Sequence, residues 1–369
     1  MRGRRGCRYP VAHGPVRSDD LRPLGSHPKR ALQHDWQAYG TEALHFEVLE
    51  AMKVSDSPHV TRSDERTLLE QLWLAQLQPF GACGYNRDAK IRQRTHGLTN
   101  DRPAVRMGAT PAALLTRLAA LPLPWVGEPR LLAPIGLTGE PAVDLATLAA
   151  TLATEVRRAR AVGALPVVIG GDCLTAIGTL GGLDGAAAGI VWIDAHGDFN
   201  TPATTPSGYL GGMPLAALAG RCLPALTAAA GLRAPVPEER TALLGDRDLD
   251  PPEHAALAAS QVAVLTSAQL RDETGALPPI LARLGRQGPV SVHIDVDVLD
   301  PAVMPGVAYP APGGLSLAEL EALLRAVRAH CGPAAITLTA VNVTAGHTET
   351  ILAAAARVVQ AALGAGDGR

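Results

Sequence analysis

From Met107 onward, short apolar runs rich in β-branched residues alternate with longer Ala-, Leu- and Arg-rich stretches. The short runs predict strands over residues 130–135, 165–169, 189–193, 241–244, 262–265, 289–296 and 336–341, and the longer ones predict helices over 142–162, 317–329 and 348–363. Several of these strands are apolar at every position, as expected of a strand covered by helices on both faces. Strands alternating with helices in this way predict an α/β domain built on a parallel sheet, with ligands beyond the carboxyl ends of its strands.

Upstream of residue 107 that rhythm is lost. The first forty residues interleave Pro, Gly, Arg and His without a period and read as disordered. Short helices are expected over 42–52 and over 64–77, where Leu68, Leu69, Leu72 and Leu74 recur at helical spacing. Residues 1–106 are accordingly expected to be an accessory, largely disordered N-terminal extension, and residues 107–369 the functional domain.

Composition narrows the functional class. Apolar residues make up 47% of the 369-residue chain and charged ones 18%, enough for a sizeable core. With 33 basic and 35 acidic side chains the formal net charge is −2, which argues against nucleic acid or an anionic membrane as partner. The 1–106 stretch carries 17 basic and 12 acidic residues, a modest excess without pattern. Cys7, Cys83, Cys173, Cys222 and Cys331 are odd in number and show no CxxC spacing, so neither a disulfide framework nor a zinc ribbon is expected and a reducing, cytoplasmic setting fits. The Arg-rich start has no apolar segment behind it, and the longest apolar run, 351–366, is short and contains Arg357, so no signal peptide and no membrane span are expected.

The chemistry concentrates where strands end. In Ile190-Val-Trp-Ile-Asp-Ala-His-Gly-Asp-Phe-Asn200, Asp194, His196 and Asp198 recur at every second position and leave one face. Alone, that pattern suits either a metal site or a solvated strand end. Val292-His-Ile-Asp-Val-Asp-Val-Leu-Asp-Pro301 adds Asp295 and Asp297, again two apart on an apolar strand. Unpaired core carboxylates would cost several kcal/mol each, whereas four carboxylates and an imidazole at two strand ends suit hard divalent ions. His293, one step further back on the same face, reads as a hydrogen-bonded core histidine. In Pro166-Val-Val-Ile-Gly-Gly-Asp-Cys-Leu-Thr175 the glycines permit a sharp turn; Cys173 after them could face the same edge, although by itself it reads as a small buried apolar side chain.

The segments GGDCLTAIG, WIDAHGDFNTPATTPSGYLGG and HIDVDVLDPAVMPGVAYPAPGGLS, in this order, resemble the signature blocks of the arginase (ureohydrolase) family, over roughly residues 107–369. The resemblance implies a three-layer α/β/α sandwich with a mainly parallel, eight-stranded sheet, residues 107–121 as an early helix, and a trimeric or hexameric assembly. It implies a dinuclear Mn²⁺ centre held by Asp194, His196, Asp198, Asp295 and Asp297, with Cys173 where the sixth ligand, usually His, would stand. Asp194 and Asp198 would be catalytic, Asp198 orienting the attacking hydroxide and moving its proton to the leaving nitrogen. Asn200, Thr205 and Ser207 match positions that hold an amino-acid carboxylate, and Asp250 and Glu253 match positions that recognise the α-amino end. The implied substrate is a small amino acid resembling arginine.

Three departures shape the expected activity. Cys173 is a soft ligand where Mn²⁺ prefers a hard one. Gly211 stands where the family places a proton-shuttling histidine, and Ala340 where it places a glutamate that grips the guanidinium. The first two resemble a subgroup acting on N-hydroxy-arginine, releasing hydroxyurea and ornithine. Ala340 leaves open a changed amidine, another carboxylate such as Glu349 reaching in, or a decayed site. The expectation is hydrolysis of N-hydroxy-arginine or arginine, with formiminoglutamate hydrolysis and a metal-poor, non-catalytic role as the alternatives.

Overall fold

The computed structural model describes residues 110–124, 129–132, 141–183, 189–271, 275–288, 290–343 and 346–365. The expectations for the first hundred residues, including both short helices and the boundary at residue 106, lie outside this set. The chain divides into two compact units, residues 1–93 with Pro206–Gly208, and residues 94–205 with 209–369. The second unit holds the sheet and the helices that cover it.

Among the described residues six parallel strands, of the eight that the resemblance implies, form one sheet: β1 (Val167–Ile169), β2 (Gly189–Ile193), β3 (Thr241–Leu244), β4 (Ala263–Leu265), β5 (Val290–Asp295) and β6 (Pro333–Thr339). Their order across the sheet is β1-β6-β5-β2-β3-β4. The helices among the described residues are α1 (Thr110–Ala119), α2 (Pro141–Ala161), α3 (Thr175–Gly181), α4 (Pro214–Leu218), α5 (Pro224–Ala229), α6 (Pro251–Ala258), α7 (Ser267–Arg271), α8 (Leu277–Arg286), α9 (Leu317–Cys331) and α10 (Thr348–Leu363). Local chemistry sets several of these limits. Ser316 and Glu319 form a reciprocal capping box at the start of α9, and Gly332 ends it at φ 61°. The expected strand at 130–135 is not found over Arg130–Leu132, and residues 133–135 lie outside the described set.

Strand alternation explains the three layers. On β2, Val191 and Ile193 join one core with Leu114 and Leu118 of α1, Leu281 and Leu284 of α8, Leu320 of α9 and Ile351 of α10. Ile190 and Trp192 face the other core, with Leu152 of α2, Ile177 of α3, Leu215 of α4 and Leu257 of α6. Both sides of the sheet are therefore covered, which is why these strands are apolar throughout. Polar residues nevertheless line the second face below the site: Trp192 pairs in register with His293, His293 with Thr337, and Asp295 with Thr339.

The strand order has a functional consequence. From β2 the chain passes outward to β3 and β4, while β5 returns on the other flank of β2. The crevice at their carboxyl ends is a topological switch point, where open α/β sheets place ligands. No described helix is long and apolar enough to cross a membrane.

Helix packing behind the sheet tolerates little added volume. A Cβ at Gly285 in α8 would meet the His330 carbonyl and lie 3.0 Å from Cys331 Cα, both backbone atoms. We expect Gly285→Ala to destabilise the fold by about 1–3 kcal/mol through overpacking, measured as a lower urea midpoint with an unchanged slope.

Candidate metal and substrate site

β2 and β5 end side by side, and each releases its chain into a tight turn with carboxylates pointing into the crevice. Asp194 and Asp295, the residues that close the two strands, each accept a backbone N–H two residues on: His196 N–H reaches Asp194 Oδ1 at 2.8 Å, and Asp297 N–H reaches Asp295 Oδ1 at 2.8 Å. These Asx-type turns throw His196 and Asp297 together, with His196 Nδ1 at 3.1 Å from Asp297 Oδ2 and 3.4 Å from Asp194 Oδ1. Asp198 follows in a left-handed backbone conformation, φ 47°, which side chains of this kind seldom adopt outside tight turns. From β1, across β6, Cys173 reaches the same cluster: its Sγ donates to Asp295 Oδ2 at 2.9 Å and stands 4.0 Å from Asp194 Oδ2. All six residues that the family resemblance nominates as ligands are thus gathered at one edge, and Cys173, which by itself read more readily as core filling, is among them.

The electrostatics are those of crowded anions. The Asp194 carboxyl is pushed up to about 6 by burial and by Asp297, with His196 pulling against them. Asp198 is held well above the usual carboxylate range by burial, then by Asp194 and Asp295; Asp295 is raised by burial, then by Asp297 and Asp194. Burial also works to raise Asp297, but His196 and the Ala195 N–H outweigh it and leave this carboxyl low. Burial would depress His196, yet Asp297 and Asp194 keep it well above its ordinary value. The Cys173 thiol is raised by burial and then by Asp295, Asp198 and Asp194.

The donor chemistry fits divalent cations. Ligand atoms of Asp194, His196 and Asp297 lie within 4.8 Å of one another, and those of Cys173, Asp194 and His293 do likewise. Asp198 Oδ2 is buried and has no hydrogen-bond partner. Carboxylates that repel one another around such a gap are what a bound cation satisfies.

The amino-acid-binding candidates gather beside this cluster. Asn200 donates from Nδ2 to Asp250 Oδ2 at 2.9 Å and accepts from Thr204 Oγ1 at 3.0 Å. Asp250 immediately precedes α6, and Glu253 in the first turn accepts the Phe199 N–H at 2.7 Å, tying α6 to the Asp198–Asn200 turn. Burial pushes the Glu253 carboxyl up to about 7, against the pull of the Phe199 N–H. Thr205 closes the turn through its own N–H to the Thr201 carbonyl at 2.9 Å. Ser207 belongs with Pro206–Gly208 to the other unit, so only its chain position relates it to this site.

Glu349 corrects one possibility left open by the sequence. It lies in the first turn of α10, mostly exposed, paired with Arg117 at 3.4 Å, and so does not reach into the crevice in place of the carboxylate missing at Ala340. Ala340 itself is buried just beyond β6 in a left-handed conformation, φ 62°, its N–H bound to the Gly171 carbonyl.

Several contributors carried no obvious signal. Trp192 donates from Nε1 to Asp194 Oδ2 at 3.0 Å, and its ring stacks on His293 at 3.7 Å between centroids. Strand periodicity could have found it, because it shares the face of Asp194. Arg247 binds the carbonyls of Asp297, Leu299 and Ala311, holding the loop beyond β5, and Asp300 accepts the N–H groups of Ala302, Gly313 and Gly314 in the same loop. Tyr209 fills the space next to Gly211, where an added Cβ would overlap its ring. The Tyr209 phenol is raised by burial, then by Asp172, Tyr309, Cys173 and Asp198, which places it near the cluster. Tyr309 lies against both Tyr209 and His196, at 5.5 and 6.1 Å between centroids.

These features have counterparts in known proteins. The family model described as the arginase family matches residues 92–364. An arginase of Bacillus caldovelox is 39% identical over 178 residues, covering 47% of this chain and 58% of the relative. An arginase of Schizosaccharomyces pombe is 34% identical over 210 residues, covering 54% and 65%. The chain thus spans about three fifths of the length of these curated relatives. Among solved structures, the arginase from Bacillus cereus superposes with a TM-score of 0.63 at 26% identity, covering 73% of this chain and 95% of that one, and the native Bacillus caldovelox arginase with 0.60 at 28%, covering 73% and 95%. With a match that runs from residue 92 to residue 364 and takes in every strand of the sheet, the chain belongs to the arginase family.

Proposed function

We propose that this protein is a metal-dependent amidinohydrolase that cleaves the bond between the guanidine carbon and the side-chain nitrogen of an α-amino acid with a guanidine-like tail, N-hydroxy-arginine in preference to arginine, giving ornithine with hydroxyurea or urea. The observation that carries this reading is the convergence of Cys173, Asp194, His196, Asp198, Asp295 and Asp297 at one sheet edge, directly beside Asn200, Asp250 and Glu253. Relatives matched over the same region are arginases.

When bound, a pair of divalent ions, Mn²⁺ by family resemblance, supplies the Lewis acidity that makes water nucleophilic at neutral pH. The remaining work belongs to the chain. Asp198, with an unpartnered buried oxygen, accepts the proton of the attacking water and delivers it to the departing nitrogen. Asn200 and Thr205 hold the substrate carboxylate, while Asp250 and Glu253 face its ammonium group. Anchoring both ends fixes the distance from the α-carbon to the tail and brings the reacting carbon to a defined place.

The tail end favours a hydroxyguanidine. Ala340 offers no carboxylate, and Glu349 is turned away to Arg117. A guanidinium would enter that environment without a counter-charge from either position, whereas the less basic hydroxyguanidine enters neutral more readily. Gly211 cannot shuttle a proton, and the Tyr209 ring occupies the room that a side chain there would need. The hydroxyguanidine, less basic and easier to cleave than a guanidinium, depends less on such a shuttle to protonate the departing ornithine amine.

Supplied with Mn²⁺, the protein is expected to release hydroxyurea and ornithine from N-hydroxy-arginine with a higher kcat/KM than it releases urea from arginine. The reverse order of kcat/KM overturns the preference, and formamide with glutamate from formiminoglutamate, without ornithine from either arginine compound, overturns the substrate class. Asp198→Asn should lower kcat by about 10²–10⁴-fold. Gly211→His alone should fail to raise arginine turnover because it collides with Tyr209, while Tyr209→Ala with Gly211→His should raise it, as read in the same urea assay.

Glu253 makes a separate, pH-dependent contribution. Its carboxyl rises from about 4.5 to about 7 on folding, so the ionised form is disfavoured in the native protein. Its effect is absent below pH 4.5, grows as pH rises to 7 and then stays constant, a loss of up to about 3 kcal/mol. Glu253→Gln should remove that loss. Urea unfolding of the metal-free protein at pH 5 and pH 8 should show a smaller stability difference for the variant than for the parent.

A further inference from the structure

The cluster contains two groups of ligand atoms, and they differ in chemistry. Asp194, His196 and Asp297 supply two carboxylates and an imidazole; Cys173, Asp194 and His293 supply a thiol, a carboxylate and an imidazole. Asp194 is common to both, and its oxygens divide between them. Oδ1 faces His196, at 2.8 Å from the backbone N and 3.4 Å from Nδ1, whereas Oδ2 faces Cys173 at 4.0 Å. That is the geometry of a carboxylate bridging two positions.

His293 has no place in the family pattern, yet it is fully buried among these groups. Its Nδ1 has no hydrogen-bond partner, and its Nε2 stands 3.4 Å from Thr339 Oγ1, which is itself 3.6 Å from Cys173 Sγ. The ring is held in plane against Trp192, and the same indole donates to Asp194 Oδ2. A buried imidazole beside a thiol, with carboxylate oxygens of Asp194 and, at 2.9 Å from the sulfur, Asp295, is a set of donors for a four-coordinate borderline-soft ion. Ligand atoms that lie within 4.8 Å of one another approach to about 3.5 Å around a tetrahedral ion.

We propose that Cys173, Asp194 and His293 form a distinct metal position selective for Zn²⁺ over Mn²⁺, bridged through Asp194 to a harder position formed by Asp194, His196 and Asp297, so that the protein holds two unlike ions. Binding at the softer position displaces the thiol proton to solvent and converts Cys173 to a thiolate ligand. His293 thereby takes over the imidazole donation lost where Cys173 stands in place of histidine. The inference rests on reading the site as a metal centre, but it does not depend on which amidine is cleaved.

The test equilibrates the full chain with Mn²⁺ and Zn²⁺ together, removes the excess, and counts each metal by elemental mass spectrometry. One Zn²⁺ and one Mn²⁺ per chain are expected. Co²⁺ in place of Zn²⁺ should give a near-ultraviolet thiolate-to-cobalt charge-transfer band together with strong visible absorption typical of four-coordination. His293→Phe should weaken Zn²⁺ by more than the about 10–100-fold that loss of a merely supporting hydrogen bond costs, while the Mn²⁺ count stays at one and reports an intact fold. Cys173→His should abolish the charge-transfer band and admit a second Mn²⁺. Two Mn²⁺ and no Zn²⁺ in the parent, or an unchanged Co²⁺ spectrum in His293→Phe, overturns the proposal while leaving the amidinohydrolase reading intact. Absence of both metals overturns both, and ornithine release by a protein carrying two Mn²⁺ separates them.

Discussion

The constraint on which the site depends is the burial of four carboxylates at the ends of two adjacent strands. Asp194, Asp198, Asp295 and Asp297 have almost no exposure, and three of them are pushed toward the protonated form by burial and by one another. Local devices offset part of that cost. Backbone N–H groups of His196 and Asp297 bind Asp194 and Asp295, the Trp192 indole binds Asp194, and the His196 ring stands 3.1 Å from Asp297. The rest is met by cations or by protons, and this competition links metal binding to pH throughout the crevice.

The surrounding fold serves that arrangement. β2 and β5 are the two strands between which the chain reverses its direction of travel across the sheet, so their carboxyl ends diverge and leave a crevice. Arg247 and Asp300 then hold the loop beyond β5 through carbonyl and N–H groups, while Glu253 anchors α6 to the turn that carries Asp198. The amino-acid-binding candidates and the metal-binding candidates therefore share a backbone segment. A displacement of one moves the other, which couples substrate anchoring to the position of the reacting groups.

Three residues around the cluster give the crevice its particular chemistry. Gly211 lets the Tyr209 ring in, Ala340 offers no carboxylate, and Cys173 presents a soft sulfur donor to Asp295. Gly211 and Ala340 leave no ionisable side chain at those two places, whereas Cys173 brings to the cluster a thiol whose ionised form carries a further negative charge.

Much of this was legible in the chain alone. Periodicity placed β2, β3 and α10 at their observed limits, because strands covered on both faces are apolar throughout and a helix with a defined cap has a defined length. The spacings of Asp194, His196 and Asp198, and of Asp295 and Asp297, marked the site, because alternate positions at a strand end share a face. Tertiary structure alone decided what lies between segments distant in sequence. It showed that Cys173 spans β6 to meet Asp295, that Glu349 turns outward, that Trp192 stacks on His293, and that Tyr209 fills the room beside Gly211. None of these follows from local pattern, since each is set by strand order and by volume, which are properties of the assembled sheet.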